Sequence, residues 1–152
     1  MIIIGYQGIG KSSLAGPHLG YIDLESSNFK VDGMKIEGWQ KIYCNIAKHL
    51  SRQGFKVFVS SHIGVRKELR NCNEDVVIIY PNLELKDEWI DKLRKRYIET
   101  HSDKDYNALL DAELFYEDRI KSLMKEDSFD HIVIDDMNYS LRWLLLNREV
   151  EK

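Results

Sequence analysis

Residues 1–13 read MIIIGYQGIGKSS, an apolar run that meets three glycines, a lysine and two serines. Gly5 to Ser12 satisfies the pattern GxxxxGK[ST]. A strand over Ile2–Ile4 is predicted before it and a short helix after it, the setting in which such a loop wraps phosphate. Gly5, Gly8 and Gly10 let the backbone curl until successive N–H groups face inward. Ile9 and Ser13 complete the set of candidate loop contacts, and the next helix adds positive charge at its start. Lys11 can reach the outer phosphates, and the Ser12 hydroxyl can ligate Mg²⁺. With glycine at about 7% of residues, chance produces this pattern in roughly half a per cent of chains this long. Nucleotide binding is therefore the expectation. Only Lys11–Ala15 leaves room for a helix before Gly16-Pro17, so one or two turns are predicted.

Outward from the loop, short β-branched runs predict strands at Ile2–Ile4, Tyr21–Leu24, Lys56–Ser60, Val76–Tyr80 and His131–Ile134. Most are apolar without alternation, as in strands buried on both faces. Helical stripes lie between them. The first is Trp39, Ile42, Tyr43, Ile46, Ala47 and Leu50, which Gly54 ends. The second is Leu85, Trp89, Ile90, Leu93 and Tyr97. The third is Tyr106, Leu109, Tyr116, Ile120 and Met124. Strands alternating with helices predict an α/β fold in three layers, a five-stranded mainly parallel sheet with helices on both faces.

The chain's 152 residues suit one domain, and 43% hydrophobic with 31% charged residues is ordinary for a soluble protein. A net charge of −3 gives no global attraction to nucleic acid or to an anionic membrane. No apolar run approaches the ~18 residues of a membrane span. Met1–Ile4 is too short for a signal peptide and lacks a basic start. Cys44 and Cys72 lie far apart with no metal-site spacing. A cytoplasmic location is expected.

GYQGIGKS has the form GxxGxGKS. Together with the block order over nearly the whole chain, it resembles the small P-loop kinases of phage or bacterial type, both nucleoside-monophosphate (adenylate kinase-like) and shikimate kinase-like. That resemblance implies the P-loop NTPase fold, ATP and Mg²⁺, and phosphoryl transfer to a small acceptor, a nucleoside or deoxynucleoside monophosphate first. In YIDLESS, residues 21–27, Asp23 and Glu25 stand two apart, which on a strand turns both carboxylates to one side. By the resemblance, Asp23 is the candidate base or metal-shell acid, and Glu25 is its partner toward the acceptor. Residues 26–54 take the place of an acceptor-binding insertion. KVFVSSH ends in Ser60, Ser61 and His62, with Arg66 four residues beyond. Strand ends of an open α/β sheet line the binding crevice. His62 is thus a candidate acceptor contact, and Arg66 the candidate clamp on an acceptor phosphate.

KLRKR, residues 92–96, precedes a predicted short lid over about 97–106, centred on Ile98–Asp105. Taking Leu93 as the centre of the apolar stripe, Arg96 lies about 60° away and Arg94 and Lys92 about 100°. Lys95 points to the opposite face. In the kinases, arginines here neutralise the transferring phosphoryl group. Arg96 is therefore the catalytic candidate and Arg94 a substrate-binding one. Glu113 falls inside an apolar stripe and needs a partner.

The chain also departs from these kinases. KVFVSSH has no Asp to support magnesium, and no arginine of the adenylate kinase type follows it. HIVIDDM ends in Asp135 and Asp136, which alone would suit a RecA-type ATPase acting with nucleic acid. Only 16 residues follow Asp136, fewer than that core's further strands require. A non-catalytic nucleotide binder is a third reading. Asn138, just beyond, is a candidate contact to a base.

Overall fold

The computed structural model describes residues 1–16 and 19–150, the side chain of Val150 excepted; Pro17 lies outside them. From the N-terminus come β1 (Ile2–Gly5), α1 (Lys11–Leu14), β2 (Tyr21–Asp23) and a 3₁₀ turn (Ser26–Phe29). A hairpin of β3 (Lys30–Val31) and β4 (Met34–Lys35) leads into α2 (Trp39–Arg52), β5 (Lys56–Ser60) and α3 (Ile63–Leu69). Then follow β6 (Val76–Pro81), a second 3₁₀ turn (Leu83–Leu85), α4 (Lys86–Thr100), α5 (Asp103–Met124), β7 (Asp130–Ile134) and α6 (Leu141–Val150).

Five strands form one parallel sheet in the order β2–β5–β1–β6–β7. In the central strand, Ile2 pairs with Val57 on one side and Val76 on the other. Ile2, Ile3 and Ile4 have no exposed surface. Since successive side chains point to opposite faces, their burial requires helices over both sides of the sheet. The five predicted strands are all present, within a residue of their predicted ends. No helix among the described residues is long and apolar enough to cross a membrane.

The helices turn their predicted stripes inward with local exceptions. Trp39, Tyr43 and Ala47 of α2 are buried, whereas Ile42 and Ile46 are largely exposed. Helix α2 closes at Arg52, and Gly54 adopts φ 94° to turn the chain into β5. Because α2 packs into the core, only the turn and hairpin of residues 26–38 stand apart from the sheet within the predicted insertion 26–54. Helix α3 and this hairpin carry too few apolar residues to show a period.

The predicted lid is corrected. Of residues 97–106 only His101 and Ser102 lie outside helices. His101 takes a left-handed conformation at φ 51° to end α4, and Ser102 Oγ accepts the Asp105 N–H to start α5. Thr100 Oγ1 and Arg96 both hold Asp105, at 2.5 and 3.1 Å. THSDKD is thus a C-cap followed at once by an N-cap with acids in its first turn. It forms a tight helical corner instead of a loop.

Candidate functional site

The loop between β1 and α1 sits at the C-terminal edge of the central strand. Gly8 and Gly10 adopt φ 88° and 100°, open to glycine but strained for other residues. A Cβ on Gly8 would also lie 2.9 Å from Leu93 Cδ2, so α4 closes directly on the loop. Two aromatic side chains take up the loop's carbonyls. Trp89 Nε1 donates to Gln7 O at 2.9 Å, and the Tyr139 hydroxyl donates to Ile9 O at 2.7 Å. Their rings stack with centroids 6.0 Å apart. With the carbonyls engaged, the N–H groups of Gly8, Ile9 and Gly10 have no acceptor among the described residues. Three successive unpaired donors make a nest for an anion.

Four charged groups run along one side of this nest. Lys11 Nζ lies 3.7 Å from Asp23 Oδ1, an ion pair without a hydrogen bond, and that buried oxygen has no other partner. Burial and the nearby Glu25 charge raise the Asp23 pKa above its ordinary value, with Lys11 opposing them. Burial also acts on Glu25, but Lys104 at 2.5 Å and Lys11 outweigh it and hold its pKa low. Asp23 ends β2 and Glu25 lies beyond it as the cap of the next 3₁₀ turn, so their carboxyls meet through this turn and not through strand alternation, and Lys104 ties the helical corner to Glu25. Among the described residues no three His, Cys, Asp or Glu side chains converge on a metal position. Mg²⁺ binds through one or two protein oxygens with phosphate and water completing its shell. Exposed Ser12 and the Asp23 carboxylate, whose Oδ1 makes no hydrogen bond, are the candidate ligands.

Lys92, which the helical wheel ranked only level with Arg94, holds the better position. Its Nζ donates to the Tyr139 hydroxyl at 2.8 Å and lies 4.5 Å from the centre of the Trp89 ring. No carboxylate pairs with it among the described residues. A cavity of about 730 Å³ gathers Lys92, Arg96 and Ser12. A second, of about 410 Å³, adjoins it and brings Lys92 to Gly10, Ser13 and Tyr139. Arg94 is corrected: it turns to Asp91 at 2.8 Å and to Glu113 at 3.1 Å and reaches neither cavity. The partner required by Glu113 is thus Arg94.

Burial and the neighbouring Arg96 push the Lys92 pKa down to about 8. The folded chain sheds this proton before the unfolded one, so this group's share of stability rises with pH between about 8 and 10.5. An anion held against Lys92 restores the proton. The affinity of a polyphosphate held there, with ATP as the probe, is therefore expected to fall above pH 8, by up to about tenfold per unit, and Lys92→Met should flatten that slope. Calorimetric titration from pH 7 to 9.5 reads both. A flat profile in the native chain would remove Lys92 from the ligand contact.

On the other side of the loop a cavity of about 390 Å³ opens between the end of β5, the start of α3 and the middle of α5. Tyr6, Gln7, Ser60, Ser61 and His62 line it. Here Arg66 is corrected. It is buried, and its guanidinium donates to Ser61 O, to Ser122 O and Oγ, and to Glu126 at 2.9 Å. It joins α3 to α5 and is not free to clamp a phosphate. His62 Nδ1 accepts the Gly64 N–H and caps α3. Its pKa is lowered by burial, then by Lys35, Arg66 and Arg119.

Glu126 is nearly fully buried and also serves Arg70 at 2.7 Å. Replacing it by Gln leaves a buried Arg66 charge uncompensated. Glu126→Gln is expected to cost about 3 kcal/mol, a fall of roughly 6–12 °C in Tm. Urea denaturation with an unchanged midpoint would refute the structural assignment of Arg66.

Asp135 and Asp136 directly follow β7, which β6 separates from β1. Asp136 Oδ1 accepts the Asn138 N–H, so Asp136 and Asn138 form part of a turn. No protein-family model matches this chain, and no curated protein matches it.

Proposed function

We propose that this chain is a phosphotransferase of the P-loop kinase type, moving the γ-phosphoryl group of ATP to a hydroxyl of a small acceptor with Mg²⁺. The observation that carries the reading is the nest of unpaired N–H groups at Gly8–Gly10, flanked by Lys11, Lys92 and Arg96. Cations on one helix and one loop around a single nest suit a polyphosphate. The separate crevice beyond Tyr6 and Gln7 gives a second reactant its own place.

In this reading Lys11 and Arg96 neutralise the transferring phosphoryl oxygens, and Lys92 holds charge on the donor. Ser12 and Asp23 would hold Mg²⁺, which would supply positive charge against the transferring phosphate. The acceptor oxygen forms its bond to the γ-phosphorus as the bond from phosphorus to the ADP oxygen breaks. The hydroxyl proton passes to the Asp23 carboxylate and then to water.

Ligand binding to the native state alone raises stability by about 2.7 kcal/mol at a hundredfold excess over Kd. ATP with Mg²⁺ is therefore expected to raise Tm by roughly 5–10 °C. The same addition should leave Lys11→Ala unmoved. No shift in the native chain would contradict donor binding.

A further inference from the structure

The cations beside the glycine loop differ in how they are matched. On the side of Ser12, Lys92, Lys95 and Arg96 line the cavity together with Glu88, Asp91 and Glu99, and Arg96 pairs with Asp105, whereas Lys92 has no carboxylate partner among the described residues. The 390 Å³ cavity on the other side has two cations in its lining, and each is already matched. Arg66 uses four N–H groups within the protein and pairs with Glu126. Arg119 Nε and Nη2 both donate to Asp111, the closer at 3.0 Å. Glu126 is shared with Arg70, which is outside this lining. The third basic group, His62, is held toward its neutral form by its surroundings.

A phosphomonoester dianion entering this cavity would find its two guanidiniums engaged and the Asp111 carboxylate beside it. Desolvating such a group without unmatched cations is costly. An uncharged ligand meets no such barrier. The rest of the lining is of mixed character: Tyr6, Ile63 and Leu123 supply apolar surface, while Ser60, Ser61 and Gln7 supply hydroxyl and amide groups. The volume lies in the range of small-molecule sites.

We propose that this cavity takes an uncharged acceptor of nucleoside size, with an apolar ring and a hydroxyl-bearing part, in preference to a phosphorylated one. The inference rests on the phosphotransferase reading and narrows its acceptor away from nucleoside monophosphates. The hydroxyl of this acceptor forms its bond to the γ-phosphorus as the bond to the ADP oxygen breaks, and its proton is released to solvent.

The test compares nucleosides and deoxynucleosides with their 5′-monophosphates on the full-length chain, with neutral sugars as a third arm. Binding is measured calorimetrically in the presence of Mg²⁺ and a non-hydrolysable ATP analogue, and ADP formation is measured with ATP. Nucleosides are expected to bind at least tenfold more tightly than their monophosphates and to support ADP formation. Ile63→Trp, which fills the cavity from its exposed rim, should weaken nucleoside binding at least tenfold and leave analogue binding within twofold. Asp111→Asn, which frees Arg119, should shift preference toward monophosphates by about tenfold; this arm stands even if Ile63→Trp fails to fold. Monophosphates preferred or equal, sugars preferred, or nucleoside binding indifferent to both variants would overturn the proposal. Analogue binding without any acceptor binding overturns it while leaving the donor site standing. Loss of analogue binding in the native chain overturns the phosphotransferase reading, and this inference with it.

Discussion

Lys11→Ala is expected to lower ATP-dependent turnover by about 10³-fold or more, and to remove the thermal shift produced by ATP. The expectation comes from position and from charge. Lys11 follows the unpaired N–H groups of Gly8–Gly10 and is the only cation of the loop itself. Removing a single preorganised donor from developing charge typically costs 10²–10³ in rate, and a full charge that also binds the ground state adds to that. Folding should survive, because the Lys11 pair with Asp23 is long at 3.7 Å and makes no hydrogen bond. Steady-state ADP release, with circular dichroism as the folding control, measures both. Turnover within tenfold of the native chain would remove Lys11 from the chemistry.

Asp23→Asn separates function from stability in the opposite sense. A general base contributes about 10²–10⁴ in rate, so turnover is expected to fall by that factor while ATP still binds. Stability should hold or rise. A carboxyl whose pKa is raised on folding favours its protonated form in the native state. Its stabilising contribution is therefore present at low pH and lost as pH rises through the folded value. At neutral pH the charged Asp23 is a burden to the fold, because burial is the largest cause of its shift and Oδ1 lacks a hydrogen bond. Asparagine removes the charge at constant shape. Thermal melts in metal-free buffer should show Tm unchanged or higher at pH 7, with little difference at low pH. A lower Tm together with unchanged turnover would mark Asp23 as a structural residue only.

Much of the fold was legible because its signals are local. Ile2–Ile4, Val57–Val59 and Val76–Ile79 are continuous apolar runs with no polar face to confuse the period. The glycine loop was legible for the same reason: its residues act as one short segment. Arg66 was misread because its partners Ser122 and Glu126 lie 56 and 60 residues away and only the packing of α3 on α5 brings them near. The helical wheel could not rank Lys92 against Arg94. Both lie about 100° from Leu93, on opposite sides of the stripe. The neighbours decide it: Tyr139 and Trp89 receive Lys92, while Glu113 draws Arg94 away. Tyr139 itself carried no signal beyond its place in the loop after the last strand. The corner at His101–Ser102 was legible in principle, since Ser102 followed by Asp103 and Asp105 is a helix-start pattern.

The central claim is that the nest at Gly8–Gly10 presents ATP for phosphoryl transfer to a second molecule. Phosphorus NMR of the purified chain with ATP, Mg²⁺ and a panel of hydroxyl-bearing acceptors, nucleosides and nucleoside monophosphates among them, follows every phosphate at once. The account predicts ADP and a new phosphorylated product in equal amounts, with neither formed by Lys11→Ala. ADP no higher than in that variant, or ADP accompanied only by inorganic phosphate, would contradict it.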